Sequence, residues 1–417
     1  MALIPSWVTS ANDPEADFPL NNLPYGVFST SASEPRCGVA IGDFVLDVAA
    51  LEVDGLIDLG DAPLLDLPYW NEVMEQGPAV WAALRARLTA LLKRGAPGEE
   101  RINPYLVPLS DVSLHMPFAV SEYTDFYASL HHATNVGTMF RGPDNALPPN
   151  WLHIPIGYNG RASTVVVSGT DIRRPNGQLK SPDDETPHFG PSEKLDIELE
   201  LGAIVGTSSD MGQPLTVAEA DAMIFGYVLL NDWSARDIQA WEYQPLGPFQ
   251  AKAFATSISP WIVTAAALAP FRTDGPSIQK PLLPYLQPDL AAHYDIDLSV
   301  ALAAADGKNQ IISQTNTAEL YYSSAQQLAH HTSSGCAMNA GDLLGSGTIS
   351  GAAKTERGSL LELTRGGAEP LILNSGETRR FLEDGDTVTL SGHARGKGYR
   401  IGFGDCFGTI RPAIPFP

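Results

Sequence analysis

Apolar and polar residues in the first quarter of the chain form short runs that Pro, Gly and Asp interrupt. Residues 38–47 predict two strands joined at Gly42-Asp43, a plausible hairpin turn. Residues 69–93 have helical spacing, and the breakers in residues 94–98 end it. Residues 104–117 predict a linker, so we expect domains at residues 1–116 and 117–417. The apolar side of the predicted helix comprises Trp81, Leu84, Leu88, Leu91 and Leu92.

The remainder of the chain alternates in a way that is typical of strands. Frequent Gly and Pro between the runs favour an all-β or barrel-like architecture with bends. Two helices interrupt this pattern. Thr216-Val-Ala-Glu219 is a capping-box pattern before residues 220–225, and residues 317–331 have helical spacing. The predicted strands include residues 164–167, 196–205, 226–230, 298–302 and 387–390.

Composition narrows the class of protein. With 417 residues, 44% of them hydrophobic, the chain can bury a large core, and 18% charged residues argue against disorder. The net charge of −22 disfavours nucleic acid and anionic membranes as partners but suits a hard cation with oxygen ligands. Cys37, Cys336 and Cys406 have no zinc spacing, which favours a reduced, cytoplasmic protein. We see no signal-peptide pattern, and the apolar runs are too short to span a bilayer.

The segment 231–249, Asn-Asp-Trp-Ser-Ala-Arg-Asp-Ile-Gln-Ala-Trp-Glu-Tyr-Gln-Pro-Leu-Gly-Pro-Phe, concentrates chemically useful side chains. If Asp232 opens a helix, then Asp232, Arg236, Gln239 and Tyr243 share one face. That face could direct a metal ligand, an oxyanion donor and a substrate anchor into one cavity. A solvated face with an Asp–Arg pair at i,i+4 is the alternative, and the segment alone leaves both open.

Strict alternation in Leu-Asp-Ile-Glu-Leu-Glu-Leu, residues 195–201, predicts a strand with Asp196, Glu198 and Glu200 on one face. Three carboxylates on one face repel each other unless a cation or water relieves them. The apolar continuation favours a partly buried strand. Buried carboxylates must be paired, metal-bound or protonated.

Residues 123–135 offer further candidates. Asp125 could complete an oxygen-rich metal shell, and either His131 or His132 could face a cavity as a general base. A surface or core histidine is the alternative. Glu362, between apolar residues, could orient that histidine or be a strand residue that faces water.

The sequence leaves open the roles of two more residues and one segment. Arg141 could grip a carboxylate or lie on the surface. Lys252, in a small apolar stretch, could stabilise charge in a pocket or be exposed. The Gly-rich residues 345–351 match neither a P-loop nor a Rossmann fingerprint, and we expect a turn with exposed amides.

Several motifs together resemble the fumarylacetoacetase (fumarylacetoacetate hydrolase) family over nearly the whole chain. They include Asn-Leu-Pro-Tyr-Gly-Val-Phe-Ser-Thr at 22–30, Tyr-Thr-Asp-Phe-Tyr at 123–127 and the highly specific segment 231–249. The resemblance implies a mainly β fold with some α. A small SH3-like N-terminal barrel would precede a larger mixed β-sandwich roll, in a cytoplasmic homodimer. It implies hydrolysis of 4-fumarylacetoacetate, a diketo acid, to fumarate and acetoacetate, the last step of tyrosine and phenylalanine catabolism.

The resemblance also implies site residues. It implies Ca²⁺ and/or Mg²⁺ held by Asp125, Glu198, Glu200 and Asp232, with Lys252 and Thr256 near a second magnesium site. His132 would be the general base and Glu362 its partner; Arg236, Gln239 and Lys252 would surround the oxyanion. Asp196 is left without a role. The implied substrate contacts are Tyr127, Arg141, Tyr158, Gln239, Tyr243 and Thr348.

Two other functions compete with this hypothesis. One is a different enzyme of the same superfamily, such as an acylpyruvate hydrolase or a 2-oxoacid decarboxylase. The N-terminal domain and the Tyr243/Arg141 pair argue against it. The other is a metal-stabilised β scaffold that binds a small acid or a partner protein, which the complete set of base, partner carboxylate and oxyanion groups disfavours.

Overall fold

The computed structural model describes residues 1–60, 63–181, 183–304 and 307–416. The strands, in chain order, are β1 (Tyr25–Thr30), β2 (Ser33–Ile41), β3 (Phe44–Asp47), β4 (Leu106–Pro108), β5 (Ser113–His115), β6 (Tyr123–Phe126), β7 (Gly157–Asn159), β8 (Val165–Val167), β9 (Ile172–Arg173), β10 (Asn176–Leu179), β11 (His188–Pro191), β12 (Leu195–Asp196), β13 (Leu199–Val205), β14 (Ile224–Asp232), β15 (Ser234–Ala235), β16 (Thr256–Ile258), β17 (Val263–Thr264), β18 (Arg272–Thr273), β19 (His293–Tyr294), β20 (Asp297–Ala303), β21 (Gln310–Asn316), β22 (Leu343–Gly345), β23 (Leu371–Ile372), β24 (Thr378–Arg379), β25 (Thr387–Gly396), β26 (Tyr399–Gly402) and β27 (Cys406–Arg411). The α-helices are α1 (Val48–Val53), α2 (Asn71–Glu75), α3 (Pro78–Leu92), α4 (Glu99–Ile102), α5 (Leu130–Arg141), α6 (Val217–Met223), α7 (Arg236–Glu242), α8 (Gln250–Ala253), α9 (Ala265–Leu268), α10 (Ser324–Thr332) and α11 (Leu360–Leu363).

The N-terminal region is a five-stranded antiparallel sheet in the order β4-β3-β2-β1-β5. The predicted hairpin at Gly42-Asp43 is confirmed, because Ile41 pairs with Phe44 and Gly42 has a φ of +56°, which favours glycine. The helix expected over residues 69–93 is two helices, α2 and α3. They separate at Gly77, where φ is +83°. Four of the expected apolar residues on α3 are buried, whereas Trp81 is only partly covered: Leu84, Leu88, Leu91 and Leu92.

The linker expected at residues 104–117 is wrong, because β4 and β5 lie there and form the two edges of this sheet. Pro108 is the last residue of β4. A proline lacks an N–H, so a sheet tolerates it best on an edge strand. The amino-acid composition of this segment therefore resembles that of a linker, although parts of it pair as strands. The boundary at residues 116/117 remains a prediction.

The larger region packs two sheets face to face. An eight-stranded mixed sheet runs β7-β6-β22-β13-β14-β16-β8, with β17 also paired to β14. A six-stranded sheet runs β21-β20-β25-β27-β9, with β26 also paired to β25. Leu229 on β14, Leu298 on β20 and Leu390 on β25 belong to one core between the sheets. Gly392 permits close approach there, because a Cβ would lie 2.8 Å from Leu229 Cδ2. The mainly β fold with some α is confirmed.

The structure confirms the start of one expected helix and moves the start of the other. The capping box of Thr216 and Glu219 is present at the start of α6. The helix expected over residues 317–331 begins only at Ser324, because Ser323 and Gln326 form a second capping box that starts α10. In the described part of the chain, all helices are too short or too polar to cross a membrane. Cys37, Cys336 and Cys406 are free thiols.

Candidate active site

The segment 231–249 is not a continuous helix, so the predicted four-residue face is wrong. Asp232 is the last residue of β14, Arg236 opens α7, and Tyr243 caps its C-terminus. Arg236, Gln239 and Tyr243 keep the predicted helical relation, since Tyr243 N–H donates to the Gln239 carbonyl at 3.0 Å. Arg236 Nη1 also donates to Gln239 Oε1 at 3.1 Å. The solvated alternative also fails, because Asp232 is 0% and Arg236 7% exposed. A strand end, rather than a helix face, brings the carboxylate into the site.

Four buried carboxylates meet at the middle of the eight-stranded sheet. Ligand oxygens of Asp125, Glu198, Glu200 and Asp232 lie within 4.8 Å of one another. Gly345 on β22, between β6 and β13, makes this possible. A Cβ there would lie 2.8 Å from Asp125 Oδ1 and 2.9 Å from Glu200 Oε2. Strands β6, β13 and β14 and the residue just before β13 thus supply the carboxylates, and a glycine on β22 leaves room for them.

The strand predicted over residues 195–201 is broken into β12 and β13. All of residues 195–205 are buried, so the alternation separates two buried environments rather than core and water. Glu198 and Glu200 enter the cluster, whereas Asp196 bonds Arg236 Nε at 2.8 Å. The three acidic residues therefore do not share one function.

The carboxylates of this cluster are buried and repel one another, so the cluster favours a positively charged partner. Burial raises the pKa of Asp125 and Glu200 well above the usual range, and neighbouring carboxylates, Asp232 foremost for Asp125 and Asp125 foremost for Glu200, raise it further. Asp125 Oδ1 and Glu200 Oε1 are buried acceptors that lack a hydrogen-bond partner among the residues that the structure describes. Unpaired buried carboxylate oxygens are costly, and a hard divalent cation takes such ligands. The donor set therefore fits Ca²⁺ or Mg²⁺.

Two cations offset part of the cluster's charge. Lys252 Nζ donates to Asp232 Oδ2 at 2.6 Å and also to Glu198 Oε2, and Arg236 Nη2 lies 2.7 Å from Glu198 Oε1. Burial alone would raise the pKa of Glu198, but Lys252 and Arg236 lower it to about 2. Lys252 is 7% exposed, so the exposed alternative is wrong.

The second magnesium site stays a prediction. An ammonium has no lone pair, so Lys252 Nζ neutralises the carboxylates rather than ligating a cation. Thr256 Oγ1 donates to Asp232 Oδ1 at 3.1 Å, which places Thr256 beside the same carboxylate.

A histidine–glutamate pair lies at the same cavity, which the His132 ring lines. His132 is on α5, which begins after its cap Ser129, and its Nδ1 lies 2.6 Å from Glu362 Oε2. With Nδ1 on the carboxylate, Nε2 is the ring nitrogen that can accept a proton. Glu362 is on α11 and 0% exposed, so the water-facing alternative is wrong. His131 instead lies 3.4 Å from Glu319.

Glu362 accepts more hydrogen bonds than the one from His132. Asn135 donates to Oε1 at 2.8 Å, and Ser350 and Ser359 each donate to Oε2 at 2.9 Å. Burial alone would raise the pKa of Glu362, but His132 and the Asn135 and Ser350 donors lower it to about 2. A carboxylate held this firmly fixes the orientation of the imidazole.

The cavity between these groups has a volume of about 390 Å³. Arg141 is held at its rim, donating from Nη2 to the Ala146 carbonyl at 2.7 Å. Thr348 Oγ1 is buried and has no hydrogen-bond partner in the described part of the chain. Asp125, Glu198, Arg236, Lys252 and His132 also border the cavity, as do all the predicted substrate contacts: Tyr127, Arg141, Tyr158, Gln239, Tyr243 and Thr348.

The expectation for residues 345–351 is wrong in one respect. This Gly-rich stretch is buried, and Gly347 N–H donates to Glu200 Oε2 at 3.0 Å instead of facing water.

Sequence reasoning missed the residues that hold Glu362. Ser359 stands three residues before Glu362 in a capping-box spacing, and Asn135 is one turn from His132, so both had a local signal. Ser350 had none, because a fold contact brings it there. Asp196 was seen as acidic but not as a partner of Arg236.

Two family models match the chain. Residues 21–117 match the family model "Fumarylacetoacetase N-terminal", and residues 122–411 match "Fumarylacetoacetate (FAA) hydrolase C-terminal". The chain is 48% identical to a fumarylacetoacetase of Arabidopsis thaliana over 424 residues, covering 100% of both chains. It is 46% identical to one of Homo sapiens over 418 residues, covering 98% of this chain and 99% of the human one.

A solved structure shares the fold. A fumarylacetoacetate hydrolase from Exiguobacterium antarcticum matches with a TM-score of 0.53 at 17% identity, covering 94% of this chain and 99% of that one. The fold, the carboxylate cluster beside a His–Glu pair and the full-length relatives together define an enzyme of the hydrolase class. The chain belongs to the fumarylacetoacetate hydrolase family.

Proposed function

We propose that the protein hydrolyses the carbon–carbon bond of 4-fumarylacetoacetate to fumarate and acetoacetate, the last step of tyrosine and phenylalanine catabolism. The observation that carries this proposal is the His132–Glu362 pair, which borders the same cavity as the carboxylate cluster. Relatives named fumarylacetoacetase, 46–48% identical over nearly the whole chain, support the choice of substrate.

His132 is the general base in this mechanism. Nε2 takes a proton from water while Glu362 holds Nδ1 and stabilises the imidazolium that forms. The hydroxide adds to the ketone carbon next to the fumaroyl double bond, forming a C–O bond and an alkoxide.

Arg236, Gln239 and Lys252 are placed to stabilise that alkoxide. Arg236 carries five N–H groups, three of its nitrogens contact Asp196, Glu198 and Gln239, and the remaining N–H groups can donate to substrate. Because Gln239 accepts from Arg236 through its carbonyl, its amide NH₂ is its donor toward the cavity. Removing one such donor typically costs about 10²–10³ in rate.

The alkoxide collapses by breaking the carbon–carbon bond. The bonding electrons leave with the acetoacetate carbon, which takes the proton from His132, and the fumaroyl carbon becomes the new carboxyl of fumarate. Ca²⁺ and/or Mg²⁺ held by Asp125, Glu198, Glu200 and Asp232 would supply a Lewis acid for the diketone oxygens.

Substrate recognition is proposed for the remaining cavity residues. Arg141 suits a terminal carboxylate of the diketo acid, because a guanidinium binds it bidentately. The hydroxyls of Tyr127, Tyr158, Tyr243 and Thr348 are hydrogen-bonding partners for its other oxygens.

We also propose a cytoplasmic homodimer with domains at residues 1–116 and 117–417. Three free thiols are consistent with a reducing compartment. The two family models meet between residues 117 and 122, which agrees with this boundary. The partners are then the small diketo acid and a second copy of the chain, with no nucleic acid or membrane.

The test follows the absorbance of fumarylacetoacetate in chelated protein, with and without added Mg²⁺ or Ca²⁺. We expect cation-dependent loss of substrate and equal release of fumarate and acetoacetate. Faster turnover of acylpyruvates would instead assign the protein to another branch of the superfamily. Tight substrate binding without products would mean a binding scaffold.

A further inference from the structure

Asp196 is the one acidic residue of residues 195–201 that stays outside the carboxylate cluster. It is 0% exposed and makes four hydrogen bonds, all as acceptor. Oδ2 accepts from Arg236 Nε at 2.8 Å and from Leu361 N at 3.0 Å. Oδ1 accepts from Leu360 N and Ile197 N, each at 2.7 Å.

These partners belong to two separate parts of the proposed machinery. Arg236 opens α7 and is an alkoxide donor, whereas Leu360 and Leu361 are the first residues of α11, which carries Glu362. Ser359, the cap of α11, also donates to Glu362. One carboxylate therefore ties the guanidinium to the short helix that orients the general base.

The chemistry of the four contacts requires a carboxylate. Every partner is an N–H donor, and an ionised carboxylate is an acceptor at both oxygens. An amide of the same shape would direct an NH₂ group at two of these donors and leave buried N–H groups unpaired.

We infer that Asp196 is a positioning residue that holds Arg236 and the Glu362 helix in a fixed relative position, so that the oxyanion donor and the base act on one carbonyl. It touches neither substrate nor the His132 ring and acts through its partners. This inference rests on the proposed function.

The test compares Asp196→Asn with Asp386→Asn. Asp386 is a matched control because it is 1% exposed and accepts from Arg379 Nε at 2.9 Å and Glu383 N at 2.9 Å, outside the cavity lining. We expect Asp196→Asn to lower kcat by about 10²-fold, because small misplacements of catalytic groups have effects of that size. KM should stay within about threefold, since the substrate contacts remain. Asp386→Asn should keep kcat even if it loses stability.

A double-mutant cycle with Arg236→Lys separates positioning from general destabilisation. Because Asp196 acts partly through Arg236, the combined loss in kcat of the Asp196→Asn/Arg236→Lys enzyme should be clearly smaller than the product of the two single losses. Additive losses in kcat, or equal behaviour of Asp196→Asn and Asp386→Asn, would overturn the inference.

Amide hydrogen exchange gives a readout that needs no substrate. Asp196→Asn should raise exchange at Leu360 and Leu361, whereas Asp386→Asn should not. If Asp196→Asn does not fold, Arg236→Lys answers the same question, because loosening Asp196 from one side should raise exchange at those two amides. Unchanged exchange there would refute the link. A wild type that leaves fumarylacetoacetate intact would refute the proposed function instead, while the exchange result still decides the link.

Discussion

Glu362 and Glu200 are glutamates of one site, both 0% exposed, yet the fold treats their carboxylates in opposite ways. The Glu362 carboxylate accepts hydrogen bonds from His132, Asn135, Ser350 and Ser359. Burial alone would raise its pKa, but His132, Asn135 and Ser350 lower the pKa to about 2. Glu200 has one backbone donor, Gly347, and burial together with Asp125 raises its pKa.

The difference separates two kinds of buried charge. Hydrogen-bond donors of the chain itself satisfy both oxygens of the Glu362 carboxylate. This suits a group whose task is to hold an imidazole in place. Glu200 Oε1, in contrast, has no hydrogen-bond donor among the described residues, and a divalent cation would match the oxygen ligands of this cluster. The four predictions below test this distinction, from the largest expected effect to the smallest.

Replacing His132 should have the largest effect. We expect His132→Ala to lower turnover of fumarylacetoacetate by about 10²–10⁴-fold, because it removes the general base. The absorbance assay measures this. His131→Ala is the matched control, since that ring contacts Glu319 and lies outside the cavity lining. Equal turnover in the two variants would remove His132 from the mechanism.

Glu362→Gln should remove a stabilising charge. The folded pKa of about 2 lies below the 4.5 of an unperturbed glutamate, so the carboxylate's contribution to the free energy of unfolding is complete above pH 4.5 and lost as pH falls through the folded pKa. We expect the variant to lose about 3 kcal/mol at pH 7, because the shift is about 2.5 pKa units at about 1.36 kcal/mol per unit.

Urea unfolding between pH 2 and pH 7 checks this prediction. The wild type should lose stability relative to Glu362→Gln as pH falls, so that the two curves converge. The surface variant Glu369→Gln should stay parallel to the wild type, since exposed ion pairs contribute little. Parallel curves for Glu362→Gln would contradict the assigned pKa.

Adding a divalent cation should stabilise the chelated protein. At a cation concentration ten times Kd we expect about 1.4 kcal/mol, measured as a rise in Tm. Glu200→Gln should abolish the response. Asp342→Asn should retain it, because Asp342 is a buried carboxylate that precedes β22, whereas Gly345 at the other end of β22 borders the cluster. A full response in Glu200→Gln would place the cation elsewhere.

Thr256→Val should have the smallest effect. It removes the 3.1 Å hydrogen bond to Asp232 Oδ1, which is worth about 1 kcal/mol, and should weaken cation affinity about fivefold. Calorimetric titration measures this. Thr89→Val, which removes a bond to the Arg85 carbonyl on α3, should leave affinity unchanged. Unchanged affinity in Thr256→Val would mean that Thr256 does not orient Asp232.

Local patterns predicted local structure well. The hairpin at Gly42-Asp43 and the capping box of Thr216 and Glu219 were readable because neighbouring residues decide both. The helical face over residues 231–249 failed because strand pairing competes with helix spacing, and Asp232 pairs with Thr256 on β16. The secondary-structure propensity of a segment carries no information about a partner strand 24 residues away.

The sequence by itself determined the candidate carboxylates of residues 195–201, the candidate histidines at 131 and 132, and, through its motifs, the family. Only the tertiary structure decided which carboxylates form the cluster that could hold a cation and which one binds neighbouring groups. Asp196 and Glu198 are two residues apart and look alike in sequence, yet one accepts from the α11 backbone and the other joins the cluster. The physical reason is that the fate of a buried charge depends on the donors that long-range contacts bring to it, here from Arg236, Lys252 and residues 345–362.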